Sequence, residues 1–149
     1  MGDIAVNKRA YFDYEILKTY EAGIELLGLE TKTIKSGRID LAGSFVVIRN
    51  NEAWLLGTTV PPYQAKNTPS SYDPRRSRRL LLHASEIKEL AQSSQQKGLT
   101  IVPLGVYTRR HRIKILIGIA RHKKKKDQRE TIKRREAARE IDRVIKMGT

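Results

Sequence analysis

Four arginines occupy five consecutive positions between Asp73-Pro74 and an apolar run at residues 80–82. They are Arg75, Arg76, Arg78 and Arg79. A guanidinium group can bind a phosphate through two parallel hydrogen bonds. Arginines on flexible loops also take part in phosphate capture and base stacking. The pattern therefore predicts a loop that contacts RNA, and a solvated surface loop is the alternative interpretation.

The positive charge of the chain is concentrated at one end. Of 30 Lys and Arg residues, 16 lie in residues 109–149, where only five acidic residues oppose them. This segment therefore carries +11 of the formal net charge of +14. A sequence pI near 10.2 and such an uneven distribution are typical of a protein that binds a nucleic acid by displacing counterions.

The C-terminal end reads as two segments. Residues 121–126 contain four consecutive lysines, whose mutual repulsion predicts an extended, disordered stretch when no anion is bound. Beyond it, Ile132, Ile141 and Val144 recur at helical spacing among arginines. This is the pattern of a basic amphipathic helix, which cannot bury its narrow apolar stripe alone and is expected to fold on a partner.

Other side chains with binding chemistry are dispersed. Lys114 lies on the polar side of a strand whose other face is isoleucine, so it is either a plain surface residue or part of a phosphate-binding face. Four tyrosines could stack on bases, although aromatic residues of small β proteins usually lie in the core. They are Tyr11, Tyr14, Tyr20 and Tyr107.

Several function classes lack support in the sequence. There is no Cys, and His83, His111 and His122 are too scattered for a zinc site. No Gly-rich phosphate cradle, nucleophile elbow or two-metal carboxylate spacing is present. No apolar run approaches the roughly 20 residues of a membrane span or forms a secretory signal. We therefore expect a cytoplasmic binding protein without cofactor, metal or enzymatic activity.

The segments that must position these residues are mostly β-strands. Strands are predicted at residues 11–20, 44–49, 52–58, 100–108 and 112–120, with a turn at Ala22-Gly23. Asn50-Asn51 predicts a hairpin, and Pro103 predicts a sheet edge or a bulge. Helices are predicted at residues 30–38 and 84–97, each ending at a glycine, and the prolines of residues 61–74 predict a long loop.

This pattern favours a mainly β fold. We predict an oligonucleotide-binding (OB-like) barrel, closed or partly open, with one or two short helices. The barrel should comprise residues 1–120. Residues 121–149 should form a basic C-terminal tail that is disordered when free and helical on a partner.

Five separated blocks of the sequence resemble the small protein B family, the bacterial partners of transfer-messenger RNA (tmRNA). Their order and spacing match over nearly the whole chain. The blocks are Asn7-Lys8-Arg9-Ala10, Tyr20-Glu21-Ala22-Gly23-Ile24, Gly28-Leu29-Glu30-Thr31-Lys32, residues 73–82, and Asp127-Gln128-Arg129 with Ile132-Lys133.

The resemblance implies an adaptor rather than an enzyme. Its barrel would bind the tRNA-like domain of tmRNA and deliver that RNA to stalled ribosomes for trans-translation, which rescues the ribosome and tags the incomplete nascent chain. The tail would occupy the empty decoding site of the 16S rRNA and the mRNA channel. The family also implies an indirect partnership with elongation factor Tu on alanyl-tmRNA, a monomer, and no membrane partner.

The resemblance also implies site residues. Glu21, Leu81 and Lys114 match family positions that contact tmRNA or shape its site, and Asn7, Lys8 and Arg9 are further candidates. Glu21 would order the site or accept a hydrogen bond from a base or ribose, because a carboxylate facing a phosphate is repelled. The tail candidates for ribosome binding are Lys123, Lys124, Lys125, Lys126, Asp127, Arg129, Lys133, Arg134, Arg135, Arg139 and Arg143.

Three positions of the tail depart from the family pattern. Gln128 replaces a Lys between Asp127 and Arg129, and Lys126 replaces a frequent Tyr or His. Lys126 offers charge where an aromatic ring could stack on a ribosomal base, so decoding-site binding would depend more on the preceding lysines. His122 stands where the family usually has Gly, and we expect it to stiffen the junction between barrel and tail.

Three other functions remain as alternatives at this point. A general RNA-binding or ribosomal protein would share the fold and the charge, but would not prefer tmRNA. A basic amphipathic tail could also bind an anionic membrane surface or a partner helix, although its apolar face lacks Trp and Phe. A nuclease or another enzyme is the third alternative, and no catalytic constellation supports it.

Overall fold

The computed structural model describes residues 2–147, and the side chains of all of these except residues 126, 138 and 140–147. These residues form seven strands and four α-helices. The strands are β1 (Gly2–Val6), β2 (Tyr14–Ile24), β3 (Phe45–Arg49), β4 (Glu52–Leu56), β5 (Arg78–Leu81), β6 (Leu99–Arg109) and β7 (Arg112–His122). The helices are α1 (Lys8–Asp13), α2 (Gly28–Lys35), α3 (Ala84–Ser94) and α4 (Lys125–Met147).

The strands form one antiparallel sheet in the order β1-β6-β7-β2-β5-β4-β3. The sheet curls so that the edge strand β3 packs against β6. Alternate side chains of the long strands face inwards and form the core. Its fully buried members include Ala22, Leu55, Leu80, Leu90, Ile115 and Ile117. The prediction of a mainly β chain is confirmed, but the structure has four α-helices where one or two short ones were expected.

The N-terminal third differs most from the sequence-based prediction. Residues 8–13 form helix α1 instead of the start of a strand, because the Asn7 side chain accepts a hydrogen bond from the Ala10 N–H and caps the helix. The turn predicted at Ala22-Gly23 is also wrong. Strand β2 continues through both residues, with Ala22 in the core and Gly23 paired to strands on both sides.

Other local predictions are confirmed. Asn50 and Asn51 have φ angles of 51° and 60° and join β3 to β4 in a hairpin. The predicted helices correspond to α2 and α3, and the proline-rich segment is a loop with one short 3-10 turn at Ala65–Asn67. Pro103 lies beside a shift of register between β6 and β7, that is, at a bulge rather than at a sheet edge. Strands β1 and β5 were not predicted.

A buried ion pair connects α2 to β5. The side chains of Glu30 and Arg78 are both fully buried, with Arg78 Nη2 2.7 Å from Glu30 Oε2. Arg76 and the Tyr72 hydroxyl also donate to this carboxylate, and the Leu27 N–H donates to Oε1 at 2.8 Å. Burial alone would raise the pKa of Glu30, but the hydrogen bonds from Arg76, Leu27 and Arg78 outweigh it and lower that pKa to about 2.

Among the described residues, no helix combines the length and the apolar composition needed to cross a membrane.

The Glu30 carboxylate should control acid stability. Its pKa is about 2 in the folded chain and near 4.5 in an unfolded one, so its contribution is fully present above pH 4.5 and is lost as the pH falls towards 2. We expect Glu30→Gln to reduce the free energy of unfolding at pH 7 by about 3 kcal/mol, because Arg78 is left buried without a counter-charge. The pH dependence below 4.5 should flatten in this variant. Urea unfolding across pH 3–7 measures both effects.

The matched control is Glu25→Gln, which removes the exposed partner of Arg79. Exposed ion pairs contribute only about 0–1 kcal/mol, so this variant should unfold close to the wild type. Equal losses in the two variants would contradict the role given to the buried pair.

Candidate nucleic-acid interface

A row of side chains crosses four neighbouring strands on the outer face of the sheet. Tyr107 of β6 pairs with Lys114 of β7, Lys114 pairs with Gly23 of β2, and Gly23 pairs with Leu81 of β5. Directly opposed residues in antiparallel strands project to the same face. The inward neighbours Ala22, Leu80 and Ile113 are buried, so this row faces outwards. We call Glu21, Gly23, Leu81, Tyr107 and Lys114 the outer row.

Glu21 joins this row because it lies two residues before Gly23 on the same face of β2. Its carboxylate accepts a hydrogen bond from the Tyr107 hydroxyl and another from Arg109 Nη1 at 3.2 Å. The hydrogen bond from Tyr107 and the Arg109 charge lower the pKa of Glu21 against a smaller opposing effect of burial. Burial and the bond to Glu21 raise the pKa of Tyr107. Glu21 is therefore an ionised, oriented acceptor near neutral pH.

The missing side chain of Gly23 leaves space beside Leu81. A Cβ atom at position 23 would lie 3.3 Å from Leu81 Cβ, closer than such atoms usually approach. Two shallow grooves meet at this point. One, of about 300 Å³, lies towards α2 and Arg112, and the other, of about 320 Å³, lies towards Glu21 and His83. Leu81 is 46% exposed between them.

The outer row combines three kinds of contact. Lys114 offers a cation, the Glu21 carboxylate accepts hydrogen bonds, and exposed Leu81 offers an apolar surface to a base or ribose. A ligand with phosphates, polar donors and flat rings satisfies all three. Because Glu21 lies on the same strand as Gly23, which pairs with Lys114, the two opposite charges can select the orientation of such a ligand.

The four clustered arginines do not form one binding loop. Arg78 is fully buried and Arg76 is 70% buried at its side chain, and both bind Glu30. Arg78 is thus a structural residue that cannot reach an RNA in this structure. Arg75 is exposed in the loop, whereas Arg79 belongs to β5 and pairs with Glu25 Oε1 at 3.1 Å. The four arginines that are adjacent in the sequence therefore fall into two groups. Arg76 and Arg78 bind the buried Glu30, whereas Arg75 and Arg79 are accessible.

Residues 7–9 lie away from the outer row. The Asn7 side chain is buried, caps α1 and donates to the Pro103 carbonyl at 2.8 Å, so its role in the structure is internal. Lys8 and Arg9 are exposed on α1, and Arg9 pairs with Asp13 at 3.0 Å. The next residue, Tyr14, pairs with His122, eight residues from Lys114 along β7. The end of α1 and Lys114 are thus about 25 Å apart.

The tail starts beside α1. The rings of His122 and Tyr14 lie 4.4 Å apart, and the Lys123 N–H donates to the Asp13 carbonyl at 2.9 Å. About three helical turns further along the tail, the Arg135 guanidinium lies 5.9 Å from the Phe12 ring. These contacts support the expectation that His122 stiffens the junction. They also bring the tail to the end of the sheet that carries Lys8 and Arg9.

Helix α4 displays its cations to solvent. Lys123 is half-buried, and the Gln128 side chain is too. The exposed tail candidates are Lys124, Lys125, Asp127, Arg129, Lys133, Arg134, Arg135 and Arg139. The side chains of Lys126 and Arg143 lie outside those that the structure describes. Within residues 2–147, the tail is a helix from Lys125 onwards.

Three members of this site differ from the sequence-based prediction. Gly23 lies within strand β2 rather than in a turn, and Arg109 and the Tyr107 hydroxyl hold the Glu21 carboxylate, a role that no sequence pattern indicates. The alternation of side chains along β2 indicates that Gly23 faces outwards, because Tyr20, Ala22 and Ile24 form the inward-facing set of this strand. The remaining tyrosines serve elsewhere: Tyr20 is in the core and Tyr11 is exposed on α1.

Comparison with known proteins gives consistent matches over the whole chain. A family model described as "SmpB protein" matches residues 4–147. A protein of Gloeothece citriformis named "SsrA-binding protein" is 50% identical over 143 residues, which cover 96% of this chain and 92% of that protein. Proteins of the same name from Thermosynechococcus vestitus and Ligilactobacillus salivarius are 45% and 48% identical, and each alignment covers more than 90% of both chains.

A solved structure shares the fold as well. It is described as "tmRNA-SmpB: a journey to the center of the bacterial ribosome", and the matching chain is 42% identical with a TM-score of 0.67. The match covers 86% of this chain and 93% of the other. The family match, the relatives and the shared fold lead to one conclusion: this chain belongs to the SmpB protein family.

Proposed function

We propose that this protein is an RNA-binding adaptor for trans-translation. It binds the tRNA-like domain of tmRNA and delivers that RNA to stalled ribosomes, where incomplete nascent chains are tagged and the ribosome is released. The protein acts by binding and has no catalytic step. Its membership in the SmpB family and the chemistry of the outer row support this function together.

The folded body corresponds to an OB-like barrel of residues 1–120. The curled antiparallel sheet, in which β3 packs against β6, supports a partly open barrel. The tail comprises residues 121–149, of which Arg121 and His122 still belong to β7, and its helix α4 begins after two further residues. In this proposal the barrel works as a monomer.

The outer row is the tmRNA-binding surface. Lys114 contacts the phosphate backbone, Leu81 packs against a base or ribose, and Glu21 accepts a hydrogen bond from a nucleotide donor. Arg75 and Arg79 add phosphate contacts from the neighbouring loop and strand. Buried Arg78 and Arg76 support this surface from behind through Glu30.

The other end of the sheet, which carries α1 and the start of the tail, contacts the ribosome in this proposal. Lys8 and Arg9 of α1 adjoin the start of the tail, so cations of the body and of α4 form one surface that suits 16S rRNA at the decoding site. Helix α4 then extends into the mRNA channel. Separation of the two ends by about 25 Å lets one protein hold both RNAs at once. Elongation factor Tu binds the alanyl-tmRNA of the same complex rather than this chain.

One observation carries the proposal: a cation, an oriented carboxylate and an exposed apolar side chain share the glycine-lined outer row of a chain of this family. A phosphate-only binder has no need of the carboxylate, which a polyanion repels. The combination therefore suits a folded RNA with accessible bases better than a polyanion that offers only phosphates or other negative charges.

The direct test is recovery of RNA bound to the tagged protein from its native cells. We expect one species, tmRNA, to dominate. The isolated tRNA-like domain should also bind more tightly than an unrelated structured RNA at every salt concentration tested. Equal affinity for both RNAs would contradict the proposal and favour a general RNA-binding protein.

Replacement of Lys114 by Ala should weaken binding of the tRNA-like domain in a salt-dependent manner. One lost phosphate contact lowers the slope of log K against log salt concentration by about 0.9. Fluorescence anisotropy of labelled RNA between low and physiological salt measures this slope. The control is Lys97→Ala, which removes the same charge at a distant place. Lys97 lies two residues before Leu99, whose partner on β7 is Arg121, at the opposite end of that strand from Lys114. Equal slopes for the wild type and Lys114→Ala would remove Lys114 from the interface.

Truncation after Lys124 should separate the two activities. This cut removes α4 but leaves β7 and the stacked His122 in place. We expect the affinity for the tRNA-like domain at physiological salt to stay within about threefold, because the outer row is untouched. Tagging of nascent chains in a reconstituted translation reaction should be lost.

A second variant tests charge without removing the helix. Replacement of Arg134, Arg135 and Arg139 by Gln keeps good helix formers and removes three exposed cations. Tagging should fall while tmRNA affinity persists. Parallel loss of both activities in these variants would refute the division between barrel and tail.

A further inference from the structure

The outer face of the sheet continues beyond the outer row to the chain's one tryptophan. Ala53 and Leu55 of β4 are fully buried, so Trp54 between them projects to the opposite, outward face. It pairs with Val47 of β3 on one side and with Arg79 of β5 on the other. The indole is half-buried among these neighbours and remains accessible from solvent.

A shallow groove of about 330 Å³ runs over this tryptophan. Its lining contains both apolar and polar side chains. The lining residues are Val47, Arg49, Asn50, Glu52, Trp54, Leu56 and Ser77. Phe45, which pairs with Leu56 on the same face, is 42% exposed and extends the apolar surface. An outward aromatic ring with apolar neighbours is a surface on which a flat ring can stack.

The groove adjoins the outer row directly. Arg79 and Leu81 are two residues apart on β5 and project to the same face. The row of Val47, Trp54 and Arg79 is therefore displaced by only about 7 Å from the row of Leu81 and Gly23. One ligand can contact both rows without leaving the sheet.

Cations border the tryptophan on two sides. Arg49 is exposed at the hairpin, and Arg79 pairs with Glu25 through Nη1 at 3.1 Å. Across the described residues, Nε of Arg79 is buried without a hydrogen-bond acceptor, and a carboxylate oxygen of Glu52 lies 3.7 Å from it. The Arg79 side chain as a whole is 40% exposed next to the aromatic surface. Because exposed ion pairs contribute little, a phosphate adjacent to a stacked base can replace Glu25 at this guanidinium.

We propose that Trp54 stacks on an unpaired base of the RNA held at the outer row, with Arg49 and Arg79 contacting the flanking phosphates. Aromatic side chains on the open face of a sheet recognise single-stranded nucleotides in this manner. The inference rests on the proposed function, since it extends the same interface by one strand pair. The occupant is RNA rather than a partner protein because the groove joins a cationic RNA-binding surface.

Intrinsic fluorescence reports on this site without ambiguity, because Trp54 is the only tryptophan in the sequence. The probe is the tRNA-like domain of tmRNA, added to the full-length protein. We expect its binding to quench Trp54 emission with the same midpoint as the anisotropy of labelled RNA. A duplex RNA without unpaired bases is the comparison and should cause little quenching at equal occupancy.

Two variants test the contribution of stacking to affinity. Trp54→Phe keeps an aromatic face and should bind within about threefold of the wild type, whereas Trp54→Leu keeps an apolar side chain and should bind about tenfold more weakly. Position 54 faces outwards, and thermal unfolding identifies any variant with a damaged fold. Arg79→Gln should reduce the salt slope by about 0.9 in the wild-type background.

The outcomes separate this inference from the proposed function. Absence of binding by the wild-type protein would overturn the proposed function itself. Tight binding with unchanged Trp54 emission, or with Trp54→Leu equal to the wild type, would overturn the stacking site and leave the outer row intact. Equal losses in Trp54→Phe and Trp54→Leu, in folded proteins, would also overturn it, because stacking would then not distinguish them.

Discussion

The buried Glu30 carboxylate organises the part of the molecule that carries the interface. It receives hydrogen bonds from Arg76, Arg78 and Tyr72, and so fixes helix α2, the loop before β5 and β5 itself to one point. Two fully buried charges are costly to desolvate and tolerate little displacement once paired. The pair therefore fixes the position of β5, and the pairing of Gly23 with Leu81 follows from that position.

The outer face shows how a protein of high positive charge can be selective. Cations alone attract any polyanion, and 16 of the 30 Lys and Arg residues lie in residues 109–149. On the sheet, the carboxylate of Glu21 is oriented by Tyr107 and Arg109 and lines one groove with Leu81 and Lys114. In the proposed function, the affinity comes mainly from charge, and the discrimination comes from a small number of oriented groups.

The proposed function places tmRNA at one end of the sheet and the ribosome at the other. Long strands β2, β6 and β7 span the distance between the outer row and the junction with α4, and their pairing makes that distance rigid. At the junction, the tilted contact between the rings of Tyr14 and His122 and the contact of Arg135 with Phe12 join the tail to α1. The direction in which the tail leaves the body is thus set by the sheet and not by the tail alone.

Periodicity and turn chemistry are local properties, so the sequence by itself determined the β-rich character, the Asn50-Asn51 hairpin, the isoleucine face of β7 and the basic helix of the tail. Only the tertiary structure decided which arginines are accessible. Arg76 and Arg78 look the same as Arg75 in the sequence, but a carboxylate 46 to 48 residues away draws them inwards. Likewise, strand pairing brings Glu21, Gly23 and Trp54 onto one face of the sheet, and this pairing depends on contacts between distant segments that no local pattern records.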